Sequence, residues 1–312
     1  MPRGGGVIVV LASGGTIAGT AASAAAHTGY RAGALGVAEL LAAVPPLAGQ
    51  AIEAETVAQM DSCDMDHATW AALAIRVRFH LARAEVAGVV LTHGTDTLEE
   101  TAFFLQRTVA AVKPVVLTAA MRPATALSPD GPQNLFDAVS VARAPGARGV
   151  LAVLGGRIIG AGDLRKVHGY RVDAFDAGDA GALGLLADGE LQLHRAWPEP
   201  DGRAAVVLDR PPQSWPRVAV VLSHAGVEAT LLDAAVAAGL DGVVIAGTGN
   251  GTVHARLLEA ARRAELAGLT VWRASRCWLG GVVGDGGPVP AAGALTPVQA
   301  RVALMLELAS RG

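Results

Sequence analysis

The stretch Val89–Glu100, VVLTHGTDTLEE, decides the fold. Val89, Val90 and Leu91 form a short, wholly apolar run, the mark of a strand covered on both faces. The chain then turns at Gly94, becomes polar, and resumes as an apolar-periodic helix from Leu98 to about Val112. Thr97 and Glu100 stand in the S/T-x-x-E arrangement, so a capping box with Thr97 as N-cap is expected. That reading puts Thr95 and Asp96 in the crevice beyond the carboxyl end of a strand, beside helix N–H groups that favour an anion. Open α/β sheets bind ligands at such places, which makes both residues site candidates.

Working outward, Val7–Ala12 is a second buried strand, followed by Ser13-Gly14-Gly15-Thr16-Ile17-Ala18-Gly19. Paired glycines let the backbone turn sharply and let another group approach closely. Their spacing does not fit G-x-G-x-x-G, and no lysine follows Gly19 as a P-loop requires, so what the turn presents is Thr16. Thr20–Gly36 is rich in Ala, Gly and Ser and carries Tyr30; a mobile lid and a plain connection both fit this composition. Val37–Val44 reads as a helix stopped by Pro45-Pro46, Ile52–Val57 as a strand, and His67–Arg83 as an amphipathic helix. Strands follow at Pro114–Thr118 and Gly149–Leu154, with a helix at Asn134–Arg143 between them. This alternation predicts a parallel, doubly wound sheet. The Pro-rich segment 197–216 reads as a linker. Beyond it, strands at Val218–Leu222, Gly242–Ala246 and Leu269–Arg273 and a helix at Pro297–Leu308 form a smaller unit. The expected fold class is α/β: a large N-terminal doubly wound, mostly parallel sheet domain over 1–196, a linker over 197–216, and a smaller C-terminal α/β domain over 217–312.

With 312 residues, 52% of them hydrophobic and 4% aromatic, the chain can build a large core from Ala, Val and Leu. A formal charge of −3 and the absence of a Lys/Arg cluster give no reason to expect nucleic acid as a partner. Mean hydropathy is high at +0.40, yet no uninterrupted apolar run approaches the ~18–20 residues of a spanning helix, so no membrane is expected. The N-terminal apolar run reads as the first strand rather than a signal peptide. Cys63 and Cys277 make no disulfide framework and no metal-ligand spacing, and the histidines are scattered, so no metal and no cofactor are expected. A cytoplasmic protein is expected.

A threonine hydroxyl is a poor nucleophile at neutral pH and needs a base or a cation to assist it. The chain has two lysines. Lys113 precedes Pro114 and reads as a solvated surface charge, whereas Lys166 lies in a polar turn after Gly149–Leu154, on the side where Thr16 and Thr95 emerge. A desolvated lysine held by a carboxylate can accept a proton from a threonine, which points to a Thr95–Lys166–Asp96 cluster; a solvent-exposed Lys166 is the rival reading. His93 is open to two readings as well: a base in a His–Asp–hydroxyl set, or a ring packed under the loop and bonded to backbone.

ASGGTIAG (Ala12–Gly19) and THGTDTLEETAFFL (Thr92–Leu105) together resemble the bacterial-type L-asparaginase family. The similarity also takes in Met60–Asp64, Lys113–Pro123, Asp130–Val139 and Ala246–Gly251. It implies hydrolysis of asparagine, and often glutamine, to the acid and ammonia, in a homodimer or a homotetramer of two intimate dimers with sites at the intimate interface. By the resemblance, Thr16 is the nucleophile and Tyr30 its hydrogen-bonding partner, while Thr95, Lys166 and Asp96 form a second triad. Ser62 corresponds to a residue that binds the substrate α-carboxylate, Asp96 to the partner of the α-ammonium, and Ala120 to a carbonyl facing the departing amide nitrogen. The N–H groups of Gly15 to Thr16 and of Thr95 fit oxyanion donors, and Asn250 corresponds to a residue given by the partner subunit. Cys63 stands where the family has a glutamine, a far stronger hydrogen-bonding partner for the substrate, and it reads either as a reactive pocket thiol or as an inert small hydrophobe. Between Ser275 and Gly287 the glutamate of glutaminase-competent relatives is missing, with Asp285 amid glycines instead. Low glutaminase activity is therefore expected. Rival readings are an amino-acid sensor that kept the fold, against which the joint presence of Thr16, Thr95, Asp96 and Lys166 argues, and the amidase subunit of a tRNA-dependent amidotransferase, which calls for an added N-terminal domain and a partner.

Overall fold

In the computed structural model, which describes residues 6–25, 29, 31, 33–284 and 286–311, β1 (Val7–Gly14) occupies an interior position of an eight-stranded sheet. Ile8, Val10 and Ala12 join a core cluster with α1 (Val37–Ala42) and α4 (Gly131–Ala142). Val9 and Leu11 alternate with them and are equally buried. Both faces are covered, as an all-apolar parallel strand requires. The remaining parallel strands are β2 (Ile52–Met60), β3 (Val86–Thr92), β4 (Val115–Thr118) and β5 (Val150–Leu154). Helices α2 (His67–Leu81) and α3 (Leu98–Thr108) complete the doubly wound layers.

The parallel strands run in the order β2-β1-β3-β4-β5, so the chain reverses its direction of winding between β1 and β3. In an open α/β sheet that reversal opens a crevice beyond the strand ends. Thr16 follows β1 and Thr95 follows β3, so the topology sends both into it.

Beyond β5 the sheet continues antiparallel through β6 (Arg157–Gly160), β9 (Gly184–Ala187) and β10 (Glu190–Leu193). A separate two-stranded ribbon pairs β7 (Arg165–Lys166) with β8 (Phe175–Asp176). The region expected as one polar turn after β5 is therefore a set of short strands. Helix α3 ends at Thr108 rather than near Val112, because Val109 turns extended to bury its side chain in the core. The Ala111 carbonyl then accepts the Gly149 N–H at 2.8 Å.

The chain divides into two compact units, Met1–Leu208 and Asp209–Gly312. Of the segment 197–216, the part up to Leu208 is packed into the first unit: Trp197 lies in its core, and Ala204 N–H donates to the Arg107 carbonyl at 3.0 Å. The second unit is a three-stranded parallel sheet, β11 (Val218–Leu222), β12 (Gly242–Gly247) and β13 (Thr270–Ser275), in the order β11-β12-β13. Residues of α5 (Thr230–Ala237) and α6 (Ala255–Leu266) pack in one of its core clusters, and residues of α7 (Pro297–Arg311) in another.

Candidate active site

The turns after β1 and β3 touch backbone to backbone. A Cβ on Gly15 would lie 2.3 Å from Gly94 Cα and 2.4 Å from its nitrogen, so only a glycine fits there. Gly15 also sits at φ +84°, a conformation that L side chains rarely adopt. This contact brings Thr16, in a 3₁₀ turn over Thr16–Ala18, beside the Gly94–Thr95 turn; both threonines are buried. The Gly15 N–H donates to the Met60 carbonyl at 3.0 Å. That bond engages it as a structural tie rather than as the oxyanion donor expected from sequence. A cavity of about 540 Å³ bounded by Arg31, Gly33, Ala34, Gln59, Met60 and Asp61 opens next to this point.

Lys166 Nζ donates to Thr95 Oγ1 at 2.9 Å and to Asp96 Oδ1 at 2.5 Å. The lysine side chain is 16% exposed and that of Asp96 52%, so the amine is largely withdrawn from water while its carboxylate partner stays in contact with solvent. The structure thus brings Thr95, Asp96 and Lys166 together.

Ser62 is buried and interlocks with the same turn: its Oγ accepts the Asp96 N–H at 3.1 Å, and its carbonyl accepts the Thr97 hydroxyl at 2.7 Å. Thr97 is the N-cap residue of α3 by position, but no capping bond forms. The capping box expected from Thr97 and Glu100 does not form, because the hydroxyl is spent on the Ser62 loop. Cys63 is exposed, not buried. Partial desolvation, with Asp61, Asp64 and Asp96 nearby, holds its thiol above the usual range. Ligand atoms of Asp61, Cys63 and Asp96 all lie within 4.8 Å of one another, a negative grouping that could hold a cation or an ammonium group. Asp61 was not singled out from sequence, since an acidic residue in a polar loop carries no local signal.

His93 is fully buried and packed under the turn. Trp70 Nε1–H donates to Thr101 Oγ1 at 2.9 Å, and Thr101 Oγ1 lies 3.0 Å from His93 Nε2. The Gly94 carbonyl, 2.7 Å from Nδ1, can only accept, so the ring proton sits on Nδ1, and the threonine, which accepts from the indole, donates its own hydrogen to Nε2. Burial lowers the ring's pKa to about 4, and it is neutral. Such a histidine orients Gly94, and with one ring nitrogen taken by the Gly94 carbonyl and the other by the Thr101 hydroxyl it has none left to serve as a base for Thr16 or Thr95.

Ala120, buried just after β4, is held by its neighbours. Asn134 Nδ2 donates to the Ala119 carbonyl at 2.9 Å, and the Asp130 carboxylate accepts the N–H groups of Met121 and Arg122. Around the expected lid, Thr20 and Arg31 pair across a β-bridge, Gly33 N–H donates to the Gly15 carbonyl, and Leu127 N–H to the Ala24 carbonyl. Tyr30 lies outside the described residues, as does Asp285. In the second unit, the Asn250 amide is spent on the backbone of Val283, donating to its carbonyl at 2.9 Å and accepting its N–H at 2.7 Å. Asn250 therefore holds a loop.

Known proteins are similar to this chain over both of its domains. A family model for the asparaginase N-terminal domain matches residues 7–199, and one for the glutaminase/asparaginase C-terminal domain matches residues 217–311. The chain is 39% identical to L-asparaginase 2 of Bacillus subtilis, over 96% of this chain and 82% of that protein. It is 37% identical to a probable periplasmic L-asparaginase of Haemophilus influenzae, over 96% and 88%. A crystal structure described as a probable cytoplasmic L-asparaginase from Campylobacter jejuni superposes with a TM-score of 0.92 at 36% identity, covering 97% of this chain and 95% of that one. With both domains matched in order and full-length relatives well above 30% identity, the chain belongs to the asparaginase family.

Proposed function

We propose that this protein hydrolyses the side-chain amide of L-asparagine, giving L-aspartate and ammonia. The observation that carries the reading is the Lys166 ammonium bridging Thr95 and Asp96 beside the Gly15–Gly94 contact that delivers Thr16. In this reaction the Thr16 oxygen attacks the amide carbon, and its proton leaves with the departing nitrogen as ammonia. Water then cleaves the resulting ester, restoring the hydroxyl and freeing aspartate. The Thr95–Lys166–Asp96 set relays protons, because an amine shielded from water and held by a carboxylate can exchange a proton with a neighbouring hydroxyl. Tyr30 assists Thr16. The Thr95 N–H stabilises the oxyanion, and the Ala120 carbonyl receives the amide nitrogen. Ser62 receives the α-carboxylate, and the Asp61–Cys63–Asp96 grouping receives the α-ammonium.

Asn250 contributes by holding the 276–284 loop, which in a homodimer or homotetramer completes the partner's site. We place the protein in the cytoplasm, the compartment named for its Campylobacter neighbour, though not for its Haemophilus relative; cell fractionation decides between them. Among the described residues no helix is long and apolar enough to cross a membrane. The functional test is ammonia release from asparagine. Thr16→Ala abolishes it, and Lys166→Ala lowers kcat by roughly 10²–10⁴-fold, the usual worth of a positioned acid–base group. Full turnover by either variant overturns the reading.

A further inference from the structure

Lys166 is carried by a ribbon with almost no structure of its own. β7 has two residues, paired with Asp176 and Phe175 of β8; Arg157 ties β8 through the Phe175 carbonyl and the Asp176 carboxylate, but so short a ladder fixes little of β7 by itself. Holding the ammonium within 2.9 Å of Thr95 therefore needs a tie from outside the ribbon. Glu99 supplies a main-chain tie: the Lys166 N–H donates to Glu99 Oε2 at 3.2 Å. Glu99 lies in the first turn of α3, just past Asp96. One helix start thus grips the lysine at both ends, Thr95 and Asp96 at the amine and Glu99 at the backbone. The charged groups facing Glu99 are Glu100 on its own helix and Arg165 and Lys166 on the ribbon. Burial outweighs the two cations and the N–H bond and pushes the Glu99 carboxyl up to about 7, so its charge changes across neutral pH.

We propose that Glu99 is a positioning residue for the hydrolysis: its carboxylate holds the Lys166 main chain so that the amine meets Thr95 and Asp96, and protonation of Glu99 loosens that hold. A hydrogen bond to a charged acceptor is roughly twice as strong as a neutral one, which gives the loosening its sign: kcat falls as pH drops through neutrality. The inference rests on asparagine hydrolysis as proposed above.

The experiment measures kcat and KM for asparagine against pH in the wild type, Glu99→Ala and Glu99→Gln, with thermal unfolding of each to confirm folding. Glu99→Ala is expected to lower kcat by about 10- to 100-fold, the scale of a misplaced catalytic group, with KM little changed. Glu99→Gln keeps a neutral acceptor oxygen and cannot titrate, so it stands in for the protonated acid: its kcat lies between those of the wild type and Glu99→Ala, at the level to which the wild type falls on the acid side, and it lacks the acid-side fall near neutrality. Wild-type kcat in folded Glu99→Ala, or an unchanged acid-side fall in Glu99→Gln, overturns the proposal. A wild-type protein that releases no ammonia removes the functional reading instead, which keeps the two failures distinct.

Discussion

A methyl group on Gly94 has nowhere to go. In Gly94→Ala the new Cβ would lie 2.4 Å from Ser62 Oγ, 2.7 Å from Ser62 Cβ and 3.2 Å from Gly15 Cα, all inside the ~3.5–4.0 Å of a relaxed carbon contact. The Gly94 backbone is not in the left-handed region, so the cost is purely steric. Ser62 cannot swing away without giving up the Asp96 N–H, and Gly15 is backbone pinned by the Met60 carbonyl. Overpacking of this kind costs about 1–3 kcal/mol, or about 2–12 °C in Tm for a unit of this size. The effect on turnover is larger. A displacement of ~1 Å between the turns carrying Thr16 and Thr95 costs roughly 10²-fold in rate. Calorimetric unfolding and steady-state ammonia release measure the two effects separately. Gly162→Ala is the control, since no heavy atom lies within 4 Å of its Cβ, and it is expected to change stability by less than about 0.5 kcal/mol. A Gly94→Ala protein with wild-type Tm and kcat/KM would refute the claim that the two turns are pressed together.

Other expectations follow from the same geometry. His93 has a folded pKa lowered to about 4 from 6.5. Its contribution to stability is therefore complete above the unfolded value and drains away as pH falls toward the folded one, up to about 3 kcal/mol in all. Urea midpoints measured across that window in the wild type and in His93→Asn test this, and equal slopes contradict it. Cys63 is exposed but its thiol is held protonated, so alkylation is slow at neutral pH, faster in Asp61→Asn, and slowed by aspartate; mass spectrometry of labelled peptides reads the rates, and indifference to aspartate removes Cys63 from the substrate grouping. For glutamine, kcat/KM is expected at least about tenfold below that for asparagine, the scale of one lost pocket contact. Comparable values would refute the role given to the missing glutamate.

The parts of the fold that could be read from sequence are those whose signal is local. Val7–Ala12, Val89–Leu91 and Gly149–Leu154 are apolar without alternation because both faces are covered, and each corresponds to a parallel strand. Arg165–Lys166 could not be read as a strand: two charged residues have no period, and their pairing with Phe175 and Asp176 exists only in the folded chain. The same limit governs the site. Thr95, Asp96 and Lys166 were named by residue type, but the 71-residue separation of Thr95 from Lys166 is closed by sheet topology that no spacing encodes. The misread capping box has a similar cause, since Thr97 answers to the Ser62 carbonyl 35 residues away. Glu99 and Gly94 looked like an ordinary helix acid and an ordinary turn, because what they touch is remote in the chain.

The interior place of β1 bears on how the molecule is born. That strand pairs with β2 on one side and β3 on the other, partners synthesised well after it, and such non-local pairings close slowly. Local helices such as α2 can form far sooner. During refolding, helical circular dichroism is expected to recover ahead of turnover, with hydrolytic competence appearing only as the first strand docks between its two late neighbours.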